Sequence, residues 1–248
     1  MARVRVATFN IRTAWAPDGR HSWPFRVNAL VSTVDGLDAD VLGLQEVTGP
    51  QRWVLQRRLP NLGIHGSGRS RCRRGEASPL LVRDGFAEVL ATRTRWFGPT
   101  PDQPGSRISG TQFPRIATTC SLRTSRGLRF DMTSLHLDHR SEPARSTSVH
   151  QLLDWLDDSV PQIIVGDFNA TLRSGSVRFL LENGFSSALD ASSGGTFHGF
   201  AGRALSGAID HVLFSNHFRV LNAAVIETKP GTTHASDHWP VLAELEIS

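Results

Sequence analysis

Short runs of β-branched and apolar residues alternate along this chain with segments whose apolar positions recur at helical spacing. Arg3 to Phe9 alternates charged and apolar side chains and closes on Asn10, the period-two pattern of a strand. Asp40 to Glu46 is a second apolar run ending in an acid, and Ile163-Ile164-Val165 is a third that stops at Gly166. Strand character returns over Pro79 to Arg83, Ile116 to Leu122, Leu128 to Leu135, Ile209 to Phe214, Phe218 to Ile226 and Val241 to Ile247. An Arg126-Gly127 turn joins the fourth and fifth of these runs of the chain, 116–122 and 128–135, into a hairpin. Helical spacing predicts covering helices over Pro24 to Val34, Trp53 to Leu59 (closed by Pro60), Pro143 to Leu156 and Ser174 to Leu181. Residues 61–78, rich in Gly, Ser and Arg, and residues 97–112, interrupted by Pro99, Pro101 and Pro104, read as irregular loops. Strands do not alternate strictly with helices, and neighbouring strands pair as hairpins, which argues against a purely parallel sheet. The expected fold is α/β (α+β): a four-layer sandwich of two mixed β-sheets packed face to face and flanked by helices. One domain spanning residues 1–248 is expected.

Composition changes this picture little. With 39% hydrophobic and 20% charged residues the chain reads as an ordinary soluble protein. Basic residues outnumber acidic ones 27 to 23, and all but Lys229 are arginine. Arginine is the better planar, bidentate ligand for phosphate, so a phosphorylated substrate suits the charge without being demanded by it. Two cysteines, Cys72 and Cys120, exclude a disulfide framework and a multi-cysteine zinc site. No signal-peptide core and no bilayer-length apolar run is present, so a cytoplasmic protein without a membrane partner, and a monomer, is the expectation.

The chemistry gathers where strands end. Asn10, Glu46, His136, Asp167 with Asn169, Asp210, and Asp237 with His238 each sit at or just beyond such an end, where loops converge and ligands bind. In an extended segment positions i and i+2 share a face, so Asp167 and Asn169 would project together. One could accept a proton while the other orients an oxyanion.

Thr8-Phe9-Asn10, Leu44-Gln45-Glu46-Val47, His136, Gly166-Asp167-Phe168-Asn169-Ala170, Ile209-Asp210-His211 and Ser236-Asp237-His238 together resemble the endonuclease/exonuclease/phosphatase superfamily. The motifs stand in the family's order and span Asn10 to His238. Gly75-Glu76, Phe113-Pro-Arg115, His136-Leu-Asp-His and Gly195-Thr-Phe-His-Gly-Phe200 resemble a bacterial subgroup of metal-dependent hydrolases. The chain has no tyrosine, so the tyrosine of the abasic-endonuclease branch is replaced here by His136.

The resemblance implies roles. Glu46, with Asn10 beside it and Asp237 nearby, would hold Mg²⁺ or Mn²⁺, since hard oxygen donors without a cysteine cluster disfavour zinc. Asp167 would hold or deprotonate the attacking water, and Asn169 would donate to a phosphate oxygen. His238 would contact the phosphate, oriented by Asp210. His136 would stand opposite, paired with Glu76 in the same way. Arg115 would bind the phosphate or brace the acids, and Asp138 is a secondary candidate. His139, His198 and His211 read as structural; Trp15, Trp23 and Trp96 read as core or rim packing. The first functional expectation is a Mg²⁺-dependent phosphoesterase, a nuclease or nucleotide-directed phosphodiesterase whose partner is nucleic acid or a nucleotide. The alternative is a phosphatase acting on a sugar phosphate, an inositol phosphate or a nucleotide. A non-catalytic binding module would be expected to have lost part of this residue set, and the set is complete.

Overall fold

The computed structural model describes residues 3–227 and 233–247; Lys229 lies outside them. Twelve strands form two six-stranded sheets. The first contains β1 (Arg3–Asn10), β2 (Val41–Gln45), β3 (Leu62–His65), β4 (Leu80–Arg83), β11 (Phe218–Val225) and β12 (Val241–Ile247), in the order β11-β12-β1-β2-β4-β3. The second contains β5 (Ala87–Trp96), β6 (Ile116–Thr124), β7 (Arg129–His136), β8 (Gln162–Asp167), β9 (Phe185–Ser187) and β10 (Asp210–Ser215), in the order β5-β6-β7-β8-β10-β9. Only β1 with β2 and β7 with β8 run parallel; every other pairing is antiparallel, so both sheets are mixed.

Four helices cover the sheets: α1 (Trp23–Gly36), α2 (Gly49–Arg58), α3 (Glu142–Trp155) and α4 (Gly175–Glu182). The period-two alternation of the strands decides which layer each side chain enters. Val4 and Val6 of β1, Ile163 and Val165 of β8, and Val212 and Phe214 of β10 meet between the sheets. Ala7 and Phe9 of β1 point the other way and pack with Leu30 and Val34 of α1 and Leu55 of α2. Ile164 and Leu213 likewise turn outward onto Val149 and Leu152 of α3 and Val177 and Leu180 of α4. The result is the expected helix–sheet–sheet–helix sandwich. The sheets approach closely at Gly43, where a Cβ would meet Val165 Cγ2 at 2.4 Å. Any larger residue there would pry the layers apart beneath the site. No helix among the described residues is long and apolar enough to cross a membrane.

Three strands escape the hydrophobic pattern, and all three are sheet edges: β3, β5 and β9. An edge strand buries little, so it needs no apolar run. β5, with Glu88, Thr92, Arg93, Thr94 and Arg95, is largely exposed over its ten residues. α2 begins earlier than its apolar residues suggest, because Thr48 and Gln51 form a reciprocal capping box. Residues 97–112 are irregular, as expected. Cys72 and Cys120 are both free, the first exposed and the second buried.

Candidate active site

Sheet register carries the polar residues to one end of the sandwich. Asn10 lies opposite Gln45 across the parallel β1–β2 pair, and His136 lies opposite Asp167 across the parallel β7–β8 pair. β10 runs antiparallel to β8, so its first residue, Asp210, also pairs with Asp167. β12 runs antiparallel to β1, which brings the 236–238 loop to the same rim. Arg26, wholly buried on α1, fixes that rim: it donates to the carbonyls of Ile11 (2.6 Å), Arg12 (2.6 Å), Ala235 (2.9 Å) and His21 (3.0 Å). Ser236 Oγ donates to the Asn10 carbonyl at 2.7 Å. Loops that would otherwise float are tied by buried hydrogen bonds, whose loss is costly.

Asp167 is the centre. Asn10 Nδ2 donates to its Oδ2 at 2.9 Å and to Glu46 Oε1 at 3.1 Å, so one amide bridges the two carboxylates and the two sheets. The other Glu46 oxygen accepts the Thr13 N–H at 2.8 Å. Glu46 itself has φ +62°, a left-handed conformation rare for a side chain of this size and often found at functional sites. His238 Nδ1 is 2.8 Å from Asp210 Oδ2, and its Nε2 is 3.9 Å from Asp167 Oδ2. Burial opposes the imidazolium of His238, but Asp210, Asp167 and Asp237 outweigh it and raise its pKa to about 10. Burial, reinforced by Asp210, pushes Asp167 up to about 7. On the other side His136 Nε2 is 3.4 Å from Asp167 Oδ2. Burial and the cations Arg115 and Arg69 hold His136 well below the ordinary histidine range, so it is neutral.

The structure brings together most of the expected set and revises some partners. Glu46, Glu76, Arg115, His136, Asp167, Asn169, Asp237 and His238 line one cleft of about 640 Å³. Glu76 is not the partner of His136: it pairs with Arg69 at 2.8 Å, because the arginine-rich loop folds back over it. Asn169 does not continue an extended strand. β8 runs through Gly166 to Asp167, and Asn169 then turns left-handed (φ +49°). Its N–H donates to Asp167 Oδ1 at 2.8 Å and its Nδ2 to the Leu137 carbonyl at 3.2 Å. Asp138 sits outside this cleft and caps the Arg140 and Ser141 N–H groups at 2.9 and 2.8 Å. Arg115 is nearly buried and reaches His139 Nδ1 at 3.0 Å, and His139 joins it on the cleft wall. His211 is structural, bonded to the Ala170 carbonyl at 2.8 Å, and His198 stacks on Trp239. Trp23 and Trp96 are buried, whereas Trp15 is exposed.

Sequence reasoning missed Arg12 and Asp18 as cleft-lining residues; Arg69 belongs to an arginine run that reads as a solvated or phosphate-facing loop, and Phe113, Phe197 and Phe200 belong to segments that carry the family resemblance without an assigned role. Arg12 is clamped on Asp18 by two bonds (2.9 and 3.0 Å) and stands 3.6 Å from Asp237. The stretch that holds Arg12 and Asp18 is unremarkable along the chain, and its residues reach the site only through a loop. For a cation, Glu46, Asn10 and Asp237 offer oxygen donors alone, which suits magnesium or manganese. Asp167, Asp210 and His238 also lie within 4.8 Å of one another. There the Asp210–His238 hydrogen bond already occupies Oδ2 and Nδ1, which favours a proton-holding pair over a metal cage.

A fold of two mixed sheets under helices, with this site at the strand ends, defines a metal-dependent phosphoester hydrolase. The chain belongs to the Endonuclease/Exonuclease/phosphatase family, which it matches over residues 7–238. No curated protein matches it. Among solved structures, an endonuclease/exonuclease/phosphatase from Bacteroides vulgatus is 28% identical with a TM-score of 0.92, each chain covered over 100% of its length. A mannosyl-6-phosphatase from Bacteroides thetaiotaomicron is 25% identical with a TM-score of 0.90, over 98% of this chain and 100% of that one. The human Nocturnin catalytic domain shares the fold at 20% identity and a TM-score of 0.75, over 99% of this chain and 94% of that one.

Proposed function

We propose that this protein is a magnesium- or manganese-dependent phosphatase acting on a small phosphorylated metabolite. The observation that carries the reading is the cleft of about 640 Å³ with Asp167 between two histidines on its floor and Arg115 and Arg69 on its wall. That volume is the size of a small-molecule site. The similar mannosyl-6-phosphatase supports a sugar phosphate as the first substrate class to test.

Asp167 is placed to take the proton of the attacking water, and its pKa of about 7 matches a base working near neutrality. Asn10 and the Asn169 N–H fix the two oxygens of that carboxylate, so the water meets one geometry. His238, held charged by Asp210, contacts a non-bridging phosphate oxygen. Neutral His136 donates from the opposite side, and Arg115 supplies positive charge there. A divalent ion held by Glu46, with Asn10 and Asp237 alongside, would neutralise charge on the phosphate as it builds in the transition state. Phosphorus gains the water oxygen as the ester P–O bond breaks, the departing alkoxide takes up a proton from solvent, and the alcohol and inorganic phosphate are released.

The test is phosphate release from sugar phosphates, nucleotides and DNA or RNA with added Mg²⁺ or Mn²⁺. Monoester hydrolysis is expected, abolished by EDTA and restored by the metal. Asp167→Asn or His238→Ala should each lower kcat by about 10³-fold. Turnover that persists in both variants would sink the site, and cleavage confined to polynucleotides would sink the small-substrate reading.

A further inference from the structure

A second cleft, of about 690 Å³, adjoins the first and shares Arg69, Glu76 and Phe113 with it as a common wall. Its far side is formed by Arg71, Arg107 and Trp15. Arg69 is spoken for: Glu76 pairs with it, and its guanidinium lies 4.6 Å over the Phe113 ring. Arg71 and Arg107 differ, because neither forms an ion pair among the described residues. Arg107 donates one N–H to the Gln112 carbonyl at 3.1 Å and keeps the rest of its fork for other acceptors. Trp15 leaves 70% of its surface exposed beside them.

The two arginines sit on loops that brace each other. A Cβ on Gly105 would meet Arg71 Cγ at 2.5 Å, and one on Gly98 would meet the Arg107 nitrogen at 2.7 Å. Trp96 Nε1 donates to the Arg69 carbonyl at 2.6 Å, pinning the arginine-rich loop to the end of β5. Both side chains are exposed, and guanidiniums without an ion-pair partner, carried on loops that pack together, offer planar forks that suit phosphate.

We infer that the second cleft is a subsite for a second phosphate of the substrate, with Arg71 and Arg107 as its ligands. The inference rests on the phosphoesterase reading and adds that the preferred substrate carries two phosphates. That second group has two sources: a small bisphosphate, or the next phosphate of a nucleic-acid strand. The first is favoured because the proposed function takes a small phosphorylated metabolite at the adjoining cleft.

KM should be compared for hexose 1,6-bisphosphate against hexose 6-phosphate, for a nucleoside 3′,5′-bisphosphate against its 5′-monophosphate, and for a short oligonucleotide. In the wild-type enzyme at least one bisphosphate should show a KM about 10-fold below its monophosphate, and that ratio should collapse toward unity in Arg71→Ala/Arg107→Ala. An advantage found only with the oligonucleotide would make the strand the source and overturn the small-bisphosphate assignment. A ratio near unity in the wild type, or one that survives the double substitution, would overturn the subsite. Calorimetric titration with a non-hydrolysable bisphosphonate gives the same comparison without turnover. If no monoester is cleaved the phosphatase reading falls, and the titration still decides the subsite.

Discussion

His136 and His238 flank the same carboxylate, are buried alike, and are held in opposite protonation states. Their Nε2 atoms lie 3.4 and 3.9 Å from Asp167 Oδ2, and they are 8% and 7% exposed. Burial disfavours the charged form of both. What separates them is the company on the far side of each ring. His238 has the buried Asp210 at 2.8 Å on Nδ1, whereas His136 faces Arg115 and Arg69. One wall of the site therefore carries its positive charge on an imidazolium. The other carries it on arginine, with the histidine left as a neutral hydrogen-bonding group. A site for phosphate needs positive charge on both sides, and this chain meets the need with two different residue types.

The most severe way to break this asymmetry is Asp210→Asn. The substitution keeps shape but removes the nearest of the three charges that outweigh burial, so the His238 pKa should fall from about 10 and kcat should drop by about 10³-fold at neutral pH. A pKa near 10 keeps His238 charged throughout neutral pH, and without Asp210 only Asp167 and Asp237 are left to oppose burial. NMR titration of the histidine ring in wild type and variant, without added metal, reads the shift directly. An unmoved His238 resonance would show that another group holds the proton.

A milder comparison sets His136→Gln against His238→Gln. Glutamine can stand in for a neutral donor but not for an imidazolium. His136→Gln should cost about 10-fold, mainly in KM, while His238→Gln should approach the loss seen with alanine. Equal losses in kcat would mean that both histidines work in the same charge state, contrary to their surroundings.

The sequence carried this site unevenly. Residues at the ends of central strands were legible because an apolar run marks each strand and its polar terminus stands out; Asn10, Glu46, His136, Asp167, Asp210 and His238 were all found that way. The edge strands β3, β5 and β9 were not, because a strand with an exposed face has no apolar run to announce it. Loop partners were the least legible. The family resemblance pairs Glu76 with His136, but the fold of the 66–76 loop gives it to Arg69. Arg12 and Asp18 face each other beside carbonyls that Arg26, 14 and 8 residues further along the chain in a helix, gathers. Such contacts depend on loop closure, and no spacing rule in the chain reports it.

His198 gives the comparison a baseline, with no change in chemistry expected. It is fully buried, stacked on Trp239 at 4.4 Å with His234 at 4.7 Å, and it carries neither a catalytic role nor a carboxylate partner. Burial, with His234 adding repulsion, lowers its pKa to about 4. A histidine whose folded pKa lies below its unfolded value of 6.5 leaves stability intact above that value. The stability is lost as pH falls from 6.5 toward 4, where the unfolded chain takes up the proton first. The drop in wild type should reach about 3 kcal/mol more than in His198→Phe across that window. Urea unfolding at about pH 7.5, 6.0, 5.0 and 4.5 gives the two curves. His136, also lowered, adds the same slope to both proteins and cancels in the difference. His238, raised, acts only above pH 6.5 and cancels as well. Parallel curves would mean that burial alone does not set the charge of a histidine in this core, and the neutrality of His136 would then rest on Arg115 and Arg69 alone.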